Sequence, residues 1–458
     1  MEALKSSVQN STQQDHMLVV GLGKTGFATV RYLRSRGYQV SVVDSRNEPP
    51  YLQNLNRDYP EVDVVTGRLP SGDLAEFDQI IVSPGIKFES DRHTVGDIEL
   101  FAQDNKLPVI GITGSNGKST VTMLVHEMLC SAGIKSIAAG NIGQPVLDCL
   151  VDIDQNSVDI YVLELSSFQL ETTHSLQCTS AVVLNISEDH MDRYASIEEY
   201  KEAKDRVYKN CKAAVFNRDD MNTRSVQNSE LTLYSFGLGA PATQSDFGLV
   251  ALEDERWLAQ GDQLLAKVAH VSLPGEQNLS NILAAFALVT AAGYTLDHRM
   301  LDAALNYRGL PYRCQLVGQW RGITWINDSK GTNVGATISA VLGFAPDKDQ
   351  SLIVILGGQG KQADFKPLAD VLQGRASHII LFGEDAQEIH QALEVENYEY
   401  QMLFAESLEE VIMLANHWAR NGQSILFSPA CASFDMFKSF EHRGEEFNRL
   451  VEASQVLH

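Results

Sequence analysis

Ile110-Gly111-Ile112-Thr113-Gly114-Ser115-Asn116-Gly117-Lys118-Ser119-Thr120 decides how this chain is read. An apolar run passes into a glycine-rich turn and then into an amphipathic stretch, which predicts a strand, a loop and a helix starting near Ser119. Backbone N–H groups of Gly114, Ser115, Asn116 and Gly117, with the helix N-terminus, would cradle phosphate oxygens. Lys118 would neutralise the terminal phosphates, and Ser119 and Thr120 would offer hydroxyls to Mg²⁺. The spacing departs from the standard loop, which has four residues between its outer glycines; here Gly114 sits three before Gly117. A tight strand-to-helix turn with an exposed lysine is the competing reading.

Further along, Asp159-Ile160-Tyr161-Val162-Leu163-Glu164 places Glu164 at the carboxyl end of an apolar strand. In an open α/β sheet that edge faces the ligand crevice, and a carboxylate there can hold Mg²⁺. An ordinary ion pair is the alternative. A strand over Ala181–Asn185 leads into Ile186-Ser187-Glu188-Asp189-His190-Met191-Asp192-Arg193. His190 falls on the same edge with acidic neighbours, as a metal-site histidine would, although a structural histidine is the commoner case.

Upstream, Gly21-Leu22-Gly23-Lys24-Thr25-Gly26 follows a strand, and Asp44 ends the next strand 18 residues past Gly26. This matches the dinucleotide fingerprint and predicts a ligand whose pyrophosphate sits at a helix N-terminus. An NAD-dependent dehydrogenase is one reading of it, but no hydride-transfer constellation follows. Downstream lie Asn327-Asp328-Ser329-Lys330-Gly331-Thr332, Gly357-Gly358-Gln359-Gly360-Lys361 and Ser428–Lys438, each following a strand or opening a helix. Each is as readily structural as functional when taken alone.

Short Val/Ile/Leu runs alternate with amphipathic segments throughout, the signature of βαβ units and parallel sheets. The 458 residues exceed one ordinary core. Three blocks are expected: residues 1–96, with 1–16 as a polar leader, then 97–309, then 310–458. Lys and Arg total 36 against 59 Asp and Glu, for a net charge of −23, which argues against a nucleic-acid footprint. The apolar stretch Ile282–Ala292 is too short to cross a bilayer, so no membrane insertion is expected. Six cysteines at irregular spacing, with no CxxC pair, fit a reducing cytoplasm and not a zinc or disulfide framework.

Together these residues resemble the Mur ligase family, which builds the peptide of peptidoglycan. Thr113–Ser119 resembles that family's ATP signature, which accounts for the shortened spacing. Leu163–Glu171, Glu188–Tyr194, Asn327–Lys330, and Ser428–Ser433 with Phe440 and Arg443-Gly444 most resemble the branch that adds D-glutamate to UDP-N-acetylmuramoyl-L-alanine. Other Mur-type amino-acid ligases, and a nucleotide-binding module that makes no bond, are the alternatives. The resemblance implies three α/β domains: a Rossmann-like first, a P-loop ATPase-like second and a Rossmann-like third. It implies a cytoplasmic monomer using ATP and two Mg²⁺ ions.

It also implies roles. Asp44, Ser45 and Arg46 would hold the UDP end, with Gly21, Gly23 and Gly26 under the pyrophosphate. Asn141, Ser166, Gln169 and His190 would meet the muramoyl-alanine end. Asn278, Asn281, Arg313 and Asp328 would complete the ATP site. Lys330, Thr332, Lys361, Ser433, Phe434 and Phe440 would form the D-glutamate pocket. Lys204 would be a carbamate serving as a metal ligand beside Ser119, Glu164 and His190, with Lys201 as the competing lysine. Two positions depart from the family pattern: Tyr312 stands where His is frequent, and Phe434 where Leu is frequent.

Overall fold

Runs of β-branched and leucine residues build three separate sheets in the computed structural model, which describes residues 15–70, 74–88, 94–187, 189, 193–224, 231–273, 275–345, 347–360, 363–394 and 400–456. The first sheet contains β1 (His16–Val20), β2 (Gln39–Asp44), β3 (Asp63–Thr66), β4 (Gln79–Val82) and β5 (Thr94–Val95), all parallel, in the order β3-β2-β1-β4-β5. The leader expected over residues 1–16 lies, up to residue 14, outside the described residues; His16 already belongs to β1.

The second sheet has nine strands. These are β6 (Val109–Thr113), β7 (Ser136–Gly140), β8 (Ile160–Glu164), β9 (Ser180–Val183), β10 (Ala213–Asn217), β11 (Thr232–Phe236), β12 (Asp246–Leu252), β13 (Glu255–Gln260) and β14 (Gln263–Lys267). Their order is β14-β13-β12-β11-β10-β9-β6-β8-β7, and only β12, β13 and β14 pair antiparallel. The strand expected over Ala181–Asn185 ends earlier, at Val183. Beyond it the Leu184 N–H still donates to Thr113, while the Ser115 N–H donates to the Asn185 carbonyl, so the chain there turns toward the glycine loop.

The third sheet runs β15-β16-β20-β17-β18-β19, from β15 (Gln315–Trp320), β16 (Ile323–Asn327), β17 (Leu352–Gly357), β18 (Ala376–Phe382), β19 (Gln401–Phe404) and β20 (Ser424–Phe427). The helices are α1 (Lys24–Ser35), α2 (Leu52–Asp58), α3 (Asp97–Asp104), α4 (Lys118–Ser131), α5 (Val146–Asp152), α6 (Ser167–Glu171), α7 (Ile197–Asp205), α8 (Glu276–Ala291), α9 (His298–Leu305), α10 (Val334–Phe344), α11 (Lys366–Leu372), α12 (Ala386–Leu393), α13 (Leu408–Trp418) and α14 (Phe440–Val456).

Strands β6 and β8 are buried at every position, as parallel strands covered on both faces must be. Leu124 and Val125 of α4 and Ile282 and Phe286 of α8 pack on one face, and Phe101 and Leu147 lie on the other. The first and second sheets are tied by α1 against α5, where Arg31 pairs with Asp148 and, at 2.7 Å, with Asp152. The third sheet approaches the second through α10 against α8. No described helix is long and apolar enough to cross a membrane.

Candidate active site

Parallel strands all present their carboxyl ends to one edge, so side chains far apart in sequence meet there. Strand β6 ends at Thr113, and Gly114 and Gly117 follow with φ of +149° and +82°. Gly117 caps α4 in the left-handed region, and a Cβ there would sit 2.7 Å from Asn281 Oδ1, so glycine is required twice over. The helix begins at Lys118, one residue before the expected start.

The edge encloses a cavity of about 430 Å³. The second block contributes Ser115 to Thr120, Asn141, Glu164, Asn278 and Asn281; the third contributes Arg313, Asp328, Lys330 and Thr332. Fourteen of the expected site residues thus share one space. A slightly larger cleft, about 480 Å³, lies between α13, α14 and the β15–β16 hairpin and gathers none of them.

Glu164 is 2% exposed, and both its oxygens accept hydrogen bonds from neutral donors: Oε2 from the Ser119 hydroxyl at 2.6 Å, Oε1 from the Asn141 amide at 2.8 Å. Lys118 Nζ donates to the carbonyls of Gly114 at 2.7 Å and Ser115 at 2.8 Å. Lys204 Nζ, 1% exposed as a residue, donates to the same Gly114 carbonyl at 3.0 Å and lies 4.4 Å over the Tyr200 ring. Burial, then the nearby Lys118 ammonium, holds the Lys204 amine well below the usual lysine range. Lys118 is lowered by burial, against the pull of Glu164 and Asp189. Lys201 carries no comparable burial.

A buried carboxyl, Asp328, accepts the Ser428 hydroxyl at 2.7 Å and the Cys314 N–H at 3.1 Å, and burial pushes it up to about 6. Lys330 Nζ stands 4.1 Å above the Phe440 ring. Ser433 is buried, while Phe434 is 63% exposed. Tyr312 takes a left-handed φ of +62° and lays its ring against Gly444, so it packs on α14 and offers no charge to the cavity. His190 and Lys361 lie outside the described residues.

On the first sheet, Gly26 fits against the Gly21 carbonyl, which a Cβ would meet at 1.8 Å, whereas Gly23 faces open space. Asp44 accepts from the Leu22 N–H at 2.7 Å and from the Arg46 N–H and guanidinium at 2.6–2.9 Å. Both carboxylate oxygens are thereby committed within the chain, unlike the free carboxylate that would take a cofactor ribose. Ser166 and Gln169 form a capping box at the start of α6, and Gln169 Nε2 reaches Asp97 at 3.2 Å.

Residues 15–94 match the MurD-like N-terminal domain of Mur ligases, 112–289 the Mur ligase middle domain, and 312–431 the Mur ligase glutamate ligase domain. UDP-N-acetylmuramoylalanine–D-glutamate ligase of Marinobacter nauticus is 43% identical over 444 residues, covering 95% of this chain and 97% of the relative. The chain belongs to the Mur ligase family. The same-named protein of Pseudomonas fluorescens is 43% identical over 96% of this Mur ligase and 98% of its own length. MurF ligase from Thermotoga maritima in complex with ADP superimposes with a TM-score of 0.61 over 98% of this chain and 97% of its own, at 16% identity. The MurC ligase of that organism gives 0.58 over 96% and 99%, at 18%. These two share the three-domain α/β fold.

Sequence reading left the supporting residues of this Mur ligase unassigned. Arg443 is fully buried and donates to Ser329, Cys431 and Ala432 at 2.8–3.2 Å, pinning the loops after β16 and β20. Burial lowers its guanidinium to about 10. Asn185 Oδ1 accepts the Asn116 N–H at 2.8 Å and shapes the glycine loop. Arg443 was visible only as a motif residue, and an asparagine that accepts from a loop amide leaves no periodic trace.

Proposed function

We propose that this chain joins D-glutamate to UDP-N-acetylmuramoyl-L-alanine, at the expense of ATP, in peptidoglycan precursor synthesis. The observation that carries the reading is the single cavity in which Lys118, Ser119 and Glu164 of the second block face Arg313, Asp328 and Lys330 of the third. Relatives named for this reaction, 43% identical over nearly the whole chain, point to the same amino acid.

The acceptor carboxylate attacks the γ-phosphorus in line, ADP leaves, and an acyl phosphate forms. The D-glutamate amine then attacks the acyl carbon, expelling phosphate with the bonding pair as the amine proton is lost. Charge spreads over the phosphoryl oxygens, so Lys118 and Arg313 act electrostatically. The donors present fit Mg²⁺: one carboxylate and one hydroxyl, both oxygen, leave room for waters and substrate phosphates. Ser119 and Glu164, with His190 and a carbamylated Lys204 for a second ion, would hold Mg²⁺, which neutralises phosphate charge when bound. The low basicity of Lys204 favours the neutral amine that adds CO₂.

The UDP end lies on the first sheet under Gly21, Gly23 and Gly26, with Ser45 and Arg46; Asp44 braces Arg46. Asn141, Ser166, Gln169 and His190 take the muramoyl-alanine end. Gly114 to Thr120, Asn278, Asn281, Arg313 and Asp328 take ATP. Lys330, Thr332, Lys361, Ser433, Phe434 and Phe440 take D-glutamate. The domains divide at 96/97 and 309/310, and the working form is a cytoplasmic monomer. Phosphate release tests the reading: turnover is expected with ATP, Mg²⁺, the UDP acceptor and D-glutamate. Equal turnover with L-glutamate would refute it.

A further inference from the structure

Helix α6 ends on a carboxylate that the reaction chemistry does not use. Glu171 is its last residue, where a negative charge opposes the helix dipole and needs compensation. Three groups supply it. Arg193 Nη2 donates to Glu171 Oε2 at 2.6 Å, the Tyr194 hydroxyl donates to Oε1, and Arg206 Nη1 donates to the Glu171 carbonyl at 2.6 Å. The charged pair is largely shielded, with side-chain exposures of 21% for Arg193 and 25% for Glu171.

Arg193 also lies 4.7 Å over the ring of Phe168 on the same helix, and Phe168 stacks on Tyr194 at 6.1 Å. The contact runs on. Tyr194, 4% exposed, meets Tyr200 of α7 at 5.1 Å, and the Tyr200 ring lies 4.4 Å beneath Lys204 Nζ. A continuous packed path therefore links the end of α6 to the lysine beside the glycine loop. Ser166 caps the opposite end of α6 and Gln169 lies between, and both face the acceptor side in the reading above.

We propose that Glu171 is a positioning residue: through Arg193 and Tyr194 it latches α6 to the segment that carries Lys204, so that acceptor side and metal side are set together. The proposal rests on the ligase reading for its kinetic consequence but not for its physical one. Segment 193–205 packs on α6 through the apolar cluster around Tyr194 and Tyr200, and to this packing the Glu171 cluster adds charge-assisted hydrogen bonds, which are the strong kind.

Two variants test it, Glu171→Gln, which keeps the shape and removes the charge, and Tyr194→Phe, which removes one donor. Amide hydrogen exchange of the whole chain, followed by mass spectrometry, needs no substrate. Glu171→Gln is expected to speed exchange across residues 193–205 roughly tenfold, the effect of one charge-assisted hydrogen bond, while residues 118–131 of α4 stay as in wild type. In turnover assays, the KM for the UDP acceptor and the Mg²⁺ requirement rise roughly tenfold together, and the KM for ATP stays within about twofold. Tyr194→Phe moves the same quantities less, and the double variant is no worse than Glu171→Gln, because one latch is broken once. Unchanged exchange over 193–205, or a fall in kcat with every KM intact, would overturn the proposal. Faster exchange in a protein whose wild type does not use D-glutamate would uphold the latch and refute the ligase reading instead.

Discussion

The two glycine turns look alike on paper and differ in what surrounds them. In both, a strand ends, glycines turn the chain, and a lysine opens the helix: Lys24 opens α1, Lys118 opens α4. Lys24 is exposed and spends its ammonium on the Gly143 carbonyl at 2.7 Å, across the boundary between sheets. Lys118 is half-buried and folds onto the carbonyls of its own loop. Each turn has a carboxylate at the end of a neighbouring strand. Asp44 is neutralised by Arg46, which holds it down at about 2. Among the described residues the Glu164 carboxyl oxygens accept from a hydroxyl and an amide and from no cation, so a cation is their natural complement. A glycine turn with a lysine therefore does not specify phosphoryl chemistry. What decides it is whether the adjacent carboxylate has already been paired within the chain.

Matched substitutions probe that difference. Lys118→Ala should lower kcat by ~10²–10³, the worth of one contact to developing charge. Lys24→Ala removes an exposed contact and should leave kcat within about threefold; comparable losses in the two would erase the distinction. Lys204→Ala should cost roughly 10–100-fold and raise the Mg²⁺ requirement, as loss of a group serving a metal does. Lys201→Ala in the same assay should match wild type. Arg46→Ala should raise the KM for the UDP acceptor about tenfold, the scale of one charged hydrogen bond, and leave the KM for ATP alone. A change in the ATP constant instead would reassign the first turn.

The last effect is on stability. Asp328 sits at about 6 in the fold because it is buried, against roughly 3.9 in an unfolded chain. A carboxyl raised by folding contributes its stability below the unfolded value, and that contribution is lost as pH rises through about 6. Above pH 6 the loss is on the order of 3 kcal/mol. Asp328→Asn should therefore melt a few degrees higher than wild type at pH 7.5 and equally at pH 3.5, while turnover falls. A lower midpoint at pH 7.5 would show that the carboxylate stabilises the fold.

Much of this was legible in the residues. Strands such as Ile160–Glu164 and the turns at Gly21 and Gly114 carry apolar runs bounded by glycine, and their carboxyl ends place side chains without further information. Strands β12 to β14 were not read, because Glu255-Arg256-Trp257 and its neighbours mix charge into the alternation of a half-exposed sheet. Nor was β15, an edge strand with Gly318 in its middle. Arg443 and Asn185 act through backbone groups of distant loops, a kind of contact that imposes no spacing. Asp44 and Arg46 are implied together by the resemblance as holding the UDP end; that they pair with each other is a short-range contact that only the fold shows.

The central claim is that the acceptor carboxylate becomes an acyl phosphate before the amine arrives. UDP-N-acetylmuramoyl-L-alanine labelled with ¹⁸O in its free carboxylate, turned over with ATP, Mg²⁺ and D-glutamate, tests it directly by mass spectrometry of the phosphate released. The account predicts one ¹⁸O from the carboxylate in each phosphate formed. Phosphate without the label, formed alongside the peptide product, would contradict it.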